Sequence, residues 1–164
     1  MILKYPRFAS LILMIALSVG CFEANSYASV RSLKRFGLSV AYGGSPAPSM
    51  IGYQLNYNVG SLVRLSAGYG TLTGGVTQSV GVKFFVPGWS FSPFVGANYA
   101  KFTLNGSLAA SASSQGVPTQ RLYVFTQYGL DWQTRFGLNL GAGVSQIMVK
   151  GIQSIGFGYL GWFF

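Results

Sequence analysis

Ile51-Gly52-Tyr53-Gln54-Leu55-Asn56-Tyr57-Asn58-Val59 is the stretch whose reading decides the fold. Every odd position is large and apolar or aromatic, and every even position is glycine or an uncharged polar residue. Successive strand side chains point to opposite faces, so such a segment has one apolar and one polar face only if it is extended. No helical spacing accommodates it. The same period of two runs outward in both directions. Phe36, Leu38, Val40 and Tyr42 alternate with Gly37, Ser39 and Ala41, and Val63, Leu65, Ala67 and Tyr69 alternate with Arg64, Ser66, Gly68 and Gly70.

Further along, Val80, Val82, Phe84 and Val86 oppose Ser79, Gly81, Lys83 and Phe85. Leu122, Val124, Tyr128 and Leu130 oppose Tyr123, Phe125, Gln127, Gly129 and Asp131, and Phe136 to Ser145 alternates in the same manner. Two segments are less regular. Between Trp89 and Leu104 the phase slips near Lys101, which predicts a β-bulge. Between Ser154 and Phe164 the alternation runs through Tyr159, after which Leu160, Trp162 and Phe164 fall on the glycine side and leave the register open. About eight strands result, each near the nine to eleven residues that a tilted membrane-crossing strand needs. An even number lets antiparallel strands close without an edge.

Composition says which solvent such a barrel meets. Of 164 residues only 8% are charged, with 23 Gly, no His and mean hydropathy +0.41. A soluble domain carries roughly 25% charged residues. A lipocalin-like soluble barrel would also alternate, but its surface would be the glycine face and would hold little charge. The apolar face therefore belongs outside, against lipid. The N-terminus predicts export: Lys4 and Arg7 precede the apolar run Phe8 to Val19, and Ser26-Tyr27-Ala28 supplies a small-x-small cleavage pattern before Ser29. Residues 1–28 thus read as a signal peptide and 29–164 as the barrel. Val19-Gly20-Cys21 resembles a lipobox loosely, which makes lipidation at Cys21 the competing reading. Beyond residue 28 the chain has no cysteine, and Asp131 is its single carboxylate side chain.

The predicted connections alternate in length. Tight turns fall at Gly60-Ser61, Pro87-Gly88 and Gln133-Thr134. Longer connections fall at Ser45 to Pro48, around Thr73-Gly74-Gly75, at Asn105 to Thr119 and around Lys150-Gly151. Short turns are expected in the periplasm and longer loops outside. Trp89, Trp132 and Trp162 then lie at the periplasmic ends, with Tyr42, Tyr53, Tyr69 and Tyr99 nearer the external ends, as expected of aromatic girdles at the two membrane boundaries.

Three motifs carry a family resemblance. Phe91-Ser92-Pro93-Phe94-Val95-Gly96-Ala97-Asn98-Tyr99 resembles the "P-Y/F-V-G-A-G" strand of small outer-membrane barrels, and Tyr128-Gly129-Leu130-Asp131-Trp132 resembles the "G-hydrophobic-Asp-aromatic" strand that follows it. The chain ends in Phe164, with Trp162 two residues before it. This is similar to the signal read by the outer-membrane assembly machinery, which the resemblance implies as a partner. The whole layout after residue 28 is similar to the superfamily of OmpA transmembrane domains, OmpX/Ail and opacity proteins. The expected fold is all-β: an eight-stranded antiparallel transmembrane β-barrel with short periplasmic turns and one long external loop, located in the bacterial outer membrane.

Enzymatic chemistry is disfavoured by what the chain lacks. Without histidine, Ser–His and Cys–His activation cannot be built, and one carboxylate cannot act as paired acid and base. No catalytic residue, cofactor or metal ligand is expected, and no nucleic-acid partner. By alternation and position Arg35, Arg64, Lys83, Asp131 and Arg135 all face the lumen toward the periplasmic end, with an Asp131–Arg135 pair across one turn. Four cations against one carboxylate predict a wet or anion-holding lumen. Lys101, Arg121 and Lys150 form a second basic set near the external rim, where lipopolysaccharide phosphates are the expected contact. The Ser-, Ala- and Gly-rich connection 105–119 suits either an external ligand site or an unstructured tether. The expected role is structural or surface-interacting, the alternative a small pore for anions or hydrophobic solutes.

Overall fold

The computed structural model describes residues 30–44, 49–72, 74–149 and 151–164; the expected signal peptide, Cys21 and Lys150 lie outside these. A single helical turn, α1 (Val30–Leu33), precedes β1 (Phe36–Gly43), β2 (Ser49–Val59), β3 (Val63–Leu72), β4 (Gly75–Phe85) and β5 (Phe91–Leu104). A helix, α2 (Gly106–Ser114), then leads to β6 (Gln120–Gln133), β7 (Leu138–Val149) and β8 (Gly151–Phe163). Each strand pairs antiparallel with its sequence neighbours, and β8 returns to β1 with Leu38 opposite Trp162. The sheet is a closed barrel of eight strands.

The alternation that defines β2 is realised residue by residue. Gly52, Gln54, Asn56 and Asn58 are buried, while Ile51, Tyr53, Leu55, Tyr57 and Val59 are exposed. The polar face is therefore the interior and the apolar face the exterior. Leu38, Leu55, Val80, Leu122, Leu130 and Leu160 are each about half exposed on the outer wall. An exterior of this kind has no reason to exist in water, where it would leave a continuous apolar patch far larger than monomers tolerate.

Several details differ from the sequence reading. No bulge occurs near Lys101: pairing runs without interruption from Gly75–Leu104 to Phe85–Phe94, and from Phe91–Trp132 to Thr103–Gln120. The one shift between β1 and β2 lies between Tyr42 and Gly43. β8 keeps a single phase to its end and inverts the usual chemistry. Phe157, Tyr159 and Phe163 are buried in the lumen, whereas Gly156, Leu160 and Trp162 are exposed. Aromatic rings are needed inside because an eight-stranded barrel is just wide enough to be filled by side chains. Phe85, Phe94, Phe157 and Tyr159 with Ala41 form one interior cluster. Ala100, Phe125 and Ile147 form a second, joined by Tyr123 and Ile155.

The connections are also less asymmetric than expected. β3 ends at Leu72 and β4 begins at Gly75; β7 ends at Val149 and β8 begins at Gly151. Strand pairing continues almost to the tip at these two sites. The predicted connection Ser45 to Pro48 lies outside the described residues, and among the described ones 105–119 is the long connection at this end. That loop is not simply a tether, since nine of its residues form α2. At the opposite end β2–β3, β4–β5 and β6–β7 join through residues 60–62, 86–90 and 134–137, where Gly137 adopts φ 117, a conformation that a side chain would resist. Trp89, Trp132 and Trp162 all stand exposed at this tight-turn end, and Tyr42, Tyr53, Tyr69 and Tyr99 stand exposed toward the other.

Candidate functional site

The most concentrated chemistry lies in the lumen at the tight-turn end, around Asp131 of β6. Its carboxylate is fully buried and accepts hydrogen bonds from four side chains. Arg31 Nη2 donates to Oδ1 at 2.7 Å and Arg64 Nη1 to Oδ2 at 2.8 Å. Asn139 Nδ2 and the Tyr159 hydroxyl donate to Oδ2 at 2.9 and 2.6 Å. Charge-assisted bonds of this length are the strong ones, and an ionised carboxylate has the lone pairs to accept them all.

Arg64 is held on every side. Its Nε donates to Asn58 Oδ1 at 2.8 Å and its Nη2 to Gln133 Oε1 at 3.0 Å. Its guanidinium lies between the Phe85 and Phe163 rings, 4.8 and 4.5 Å from their centroids. Arg31 reaches the same carboxylate from outside the sheet. The α1 turn carries it across the end of the barrel, where its guanidinium also donates to the backbone carbonyls of Trp89 and Ser90 and sits 4.4 Å from the Phe85 ring. Burial lowers the Arg31 proton affinity below its ordinary value while the Asp131 carboxylate opposes that shift. An arginine starts so high that it stays charged at physiological pH.

Lys83, one step further in, is also fully buried, and its Nζ has no hydrogen-bond partner among the described residues. It is surrounded by π faces: Nζ lies 4.3 Å from the Tyr159 centroid and 4.8 Å from that of Phe94. The described lumen thus holds three cations against one carboxylate. Cation–π contacts offset part of that imbalance.

Of the predicted lumen set, the fold brings Arg64, Lys83 and Asp131 together and leaves two residues out. Arg35 is exposed, its Nε donating to the Ser32 carbonyl at 3.3 Å, and Arg135 is exposed in the 134–137 turn. Alternation assigns a face only inside a strand, and both residues sit just beyond one. The expected Asp131–Arg135 pair is replaced by Asp131 with Arg31 and Arg64. Arg31 was missed because nothing upstream of Phe36 has a period of two; only the tertiary return of α1 places it.

Of the second basic set, Lys150 lies outside the described residues, and Lys101 and Arg121 fall on opposite faces of the wall. Lys101 stands on the outer wall, in register with Gln78 and Leu122. Arg121 is opposite Phe102, at the mouth of the barrel, in a pocket of about 240 Å³ with Leu104, Val117 and Tyr123. Trp162 and Phe164 are exposed on either side of the buried Phe163.

Higher in the lumen the polar residues form an uncharged network. Gln127 bridges Asn98, Ser145 and the Gly44 carbonyl at 2.9–3.0 Å, and Asn56 donates to Ser39 at 2.9 Å.

These features define a class of molecule: a small closed antiparallel barrel, apolar outside and filled with polar and aromatic side chains inside. The crystal structure of the N-terminal β-barrel domain of Pseudomonas aeruginosa OprF is similar to it, with a TM-score of 0.54 at 14% sequence identity over 79% of this chain and 96% of that domain. At that identity the likeness is one of fold. No protein-family model matches the chain, and no curated protein matches it in sequence.

Proposed function

We propose that the protein is a non-enzymatic barrel of the bacterial outer membrane, exported by residues 1–28, with a structural or surface-interaction role in the envelope. The observation that carries this reading is the inside-out chemistry of the wall. Leucine, valine and aromatic side chains stand exposed around the barrel while arginine, lysine, aspartate and amides are buried within it. In a bilayer this is the arrangement of lowest free energy, because every strand is paired and the lipid-facing side chains are predominantly apolar. The tight-turn end, with Val30, Phe164 and the three tryptophans, faces the periplasm. The 105–119 loop with α2 faces outward, where an external ligand would meet it. Outer-membrane lipid and the assembly machinery that recognises a C-terminal aromatic are the other partners in this reading.

A role as a passage for solutes finds less support. Arg31, Arg64, Phe85, Phe163, Asn58 and Gln133 fill the tight-turn end, and the bonds around Asp131 tie them together. The carboxylate has no free donor or acceptor role left for catalysis either.

Detergent-extracted protein is expected to migrate differently on gels before and after boiling, and to give no conductance above baseline in a planar bilayer. Protein that stays soluble without detergent would overturn the membrane reading. A steady anion-selective current would overturn the closed lumen.

A further inference from the structure

One feature of the outer wall is neither smooth nor uniformly apolar. At the centre of β3 the outward position is Ala67, between Leu55 of β2 and Val80 of β4 in the same cross-strand row. Leu38 and Tyr99 continue that row on either side. A methyl group among such neighbours leaves a depression, and these residues bound a groove of about 610 Å³. That is within the range of pockets that hold small molecules, roughly 300–1,000 Å³.

The row adjacent to it, toward the long-loop end, is polar. Tyr53, Tyr69, Gln78 and Lys101 are successive partners across β2, β3, β4 and β5, and all four line the groove. Lys101 is the cation of this row. The whole sequence has two carboxylates, and Asp131 is sealed inside the lumen. Among the described residues Lys101 forms no salt bridge. A lysine on a wall that meets lipid extends its ammonium toward the headgroup level and needs an anion there. Lys101 lies three residues from the end of β5, close to the long loop.

We propose that this groove is a lipid site: an acyl chain of a phosphorylated outer-leaflet glycolipid lies over Ala67, with its phosphate on Lys101. The site rests on the outer-membrane reading above, and on the orientation that puts the long loop outside. Charge complementarity favours this occupant, since Lys101 has no salt-bridge partner among the described residues and a glycolipid phosphate brings net negative charge. A zwitterionic phospholipid brings its own ammonium to compete for its phosphate. The tyrosine hydroxyls and the Gln78 amide supply donors for further headgroup oxygens.

The test uses the folded full-length barrel in phosphatidylcholine nanodiscs doped with bisphosphorylated lipid A, with the lipid retained after extraction counted by native mass spectrometry. Wild type is expected to retain lipid A. Lys101→Gln is expected to retain roughly fivefold less, the order of effect of one basic residue at a charged membrane surface. Ala67→Phe, which fills the groove, is expected to lose retention while keeping heat-modifiable migration. Arg135→Gln, an exposed cation at the opposite end, is expected to behave as wild type. Equal retention by Lys101→Gln and wild type, or equal retention of dephosphorylated lipid A, would overturn the site. Equal retention of phosphatidylglycerol would overturn the assignment to the outer-leaflet glycolipid. A wild type that inserts normally but retains nothing sinks the groove alone, whereas one that fails to insert sinks the membrane reading with it.

Discussion

Asp131→Asn is expected to destabilise the barrel by about 3–5 kcal/mol, the usual effect of removing one partner from a buried ion pair. Asparagine keeps the size and shape of the side chain, so packing changes little and the loss is electrostatic. The substituted amide must turn its NH2 group toward one of the donors now aimed at the carboxylate. Arg31 and Arg64 lie at 2.7 and 2.8 Å, with Tyr159 and Asn139 at 2.6 and 2.9 Å. No orientation of an amide satisfies all four. Arg31, Arg64 and Lys83 would then share a buried space without a counter-charge. The check is the urea midpoint for loss of the fast-migrating folded form. Adding Arg64→Met to Asp131→Asn is expected to recover part of the loss, because residues in one network couple by about 0.5–3 kcal/mol. An unchanged midpoint in the single variant would mean that anions or water already neutralise the cluster.

The second large effect is expected at Gly143. Here β6 and β7 approach so closely that a Cβ would lie 2.1 Å from the Tyr128 carbonyl oxygen and 2.7 Å from the Gly129 Cα. Both are backbone atoms of the paired strand, so no rotamer change relieves the clash. Gly143→Ala must push two strands apart along a seam where Gly129 faces Gly143. Overpacking of a side chain costs about 1–3 kcal/mol, and a backbone collision belongs at or above the top of that range. Refolding yield into detergent, read as the heat-modifiable fraction, should fall sharply. Gly156 of β8 is the internal comparison. Nothing lies within 4 Å of a Cβ built there, and Gly156→Ala should stay within about 0.5 kcal/mol of wild type. Similar yields for the two variants would refute the close approach.

Much of this architecture is legible in the sequence. A period of two cannot be satisfied by a helix, and in β2 each face could be assigned from residue type alone. Asp131, Arg64 and Lys83 were placed in the lumen by the same rule, since each lies within a strand. The rule failed where its physical basis did. Arg35 and Arg135 lie outside the ladders, so parity carried no information about them. In β8 large residues fall on both faces and leave the register open, and the need to fill a narrow lumen decides it: Phe157, Tyr159 and Phe163 turn inside. The apparent slip near Lys101 had another cause: the strand runs true, and a cation simply occupies an outward position. Arg31 had no local signal at all. Its role arises from a contact 100 positions along the chain, which periodicity does not reach.

The placement of Lys101 also sets a length. On β5 the outward face runs from Phe91, beside Trp132, to Lys101, a span of ten residues. At a rise of about 3.3 Å per residue and a tilt of about 40°, the distance along the barrel axis is about 25 Å. The barrel therefore carries its own ruler, with indole rings at one mark and an ammonium at the other. Bilayers thicker than this would draw Lys101 below the phosphate plane or compress around the protein, at a fraction of a kcal/mol for each ångström of mismatch. The bacterial outer membrane is thinner than the average bilayer, and a wall of this height accords with the outer-membrane location proposed above.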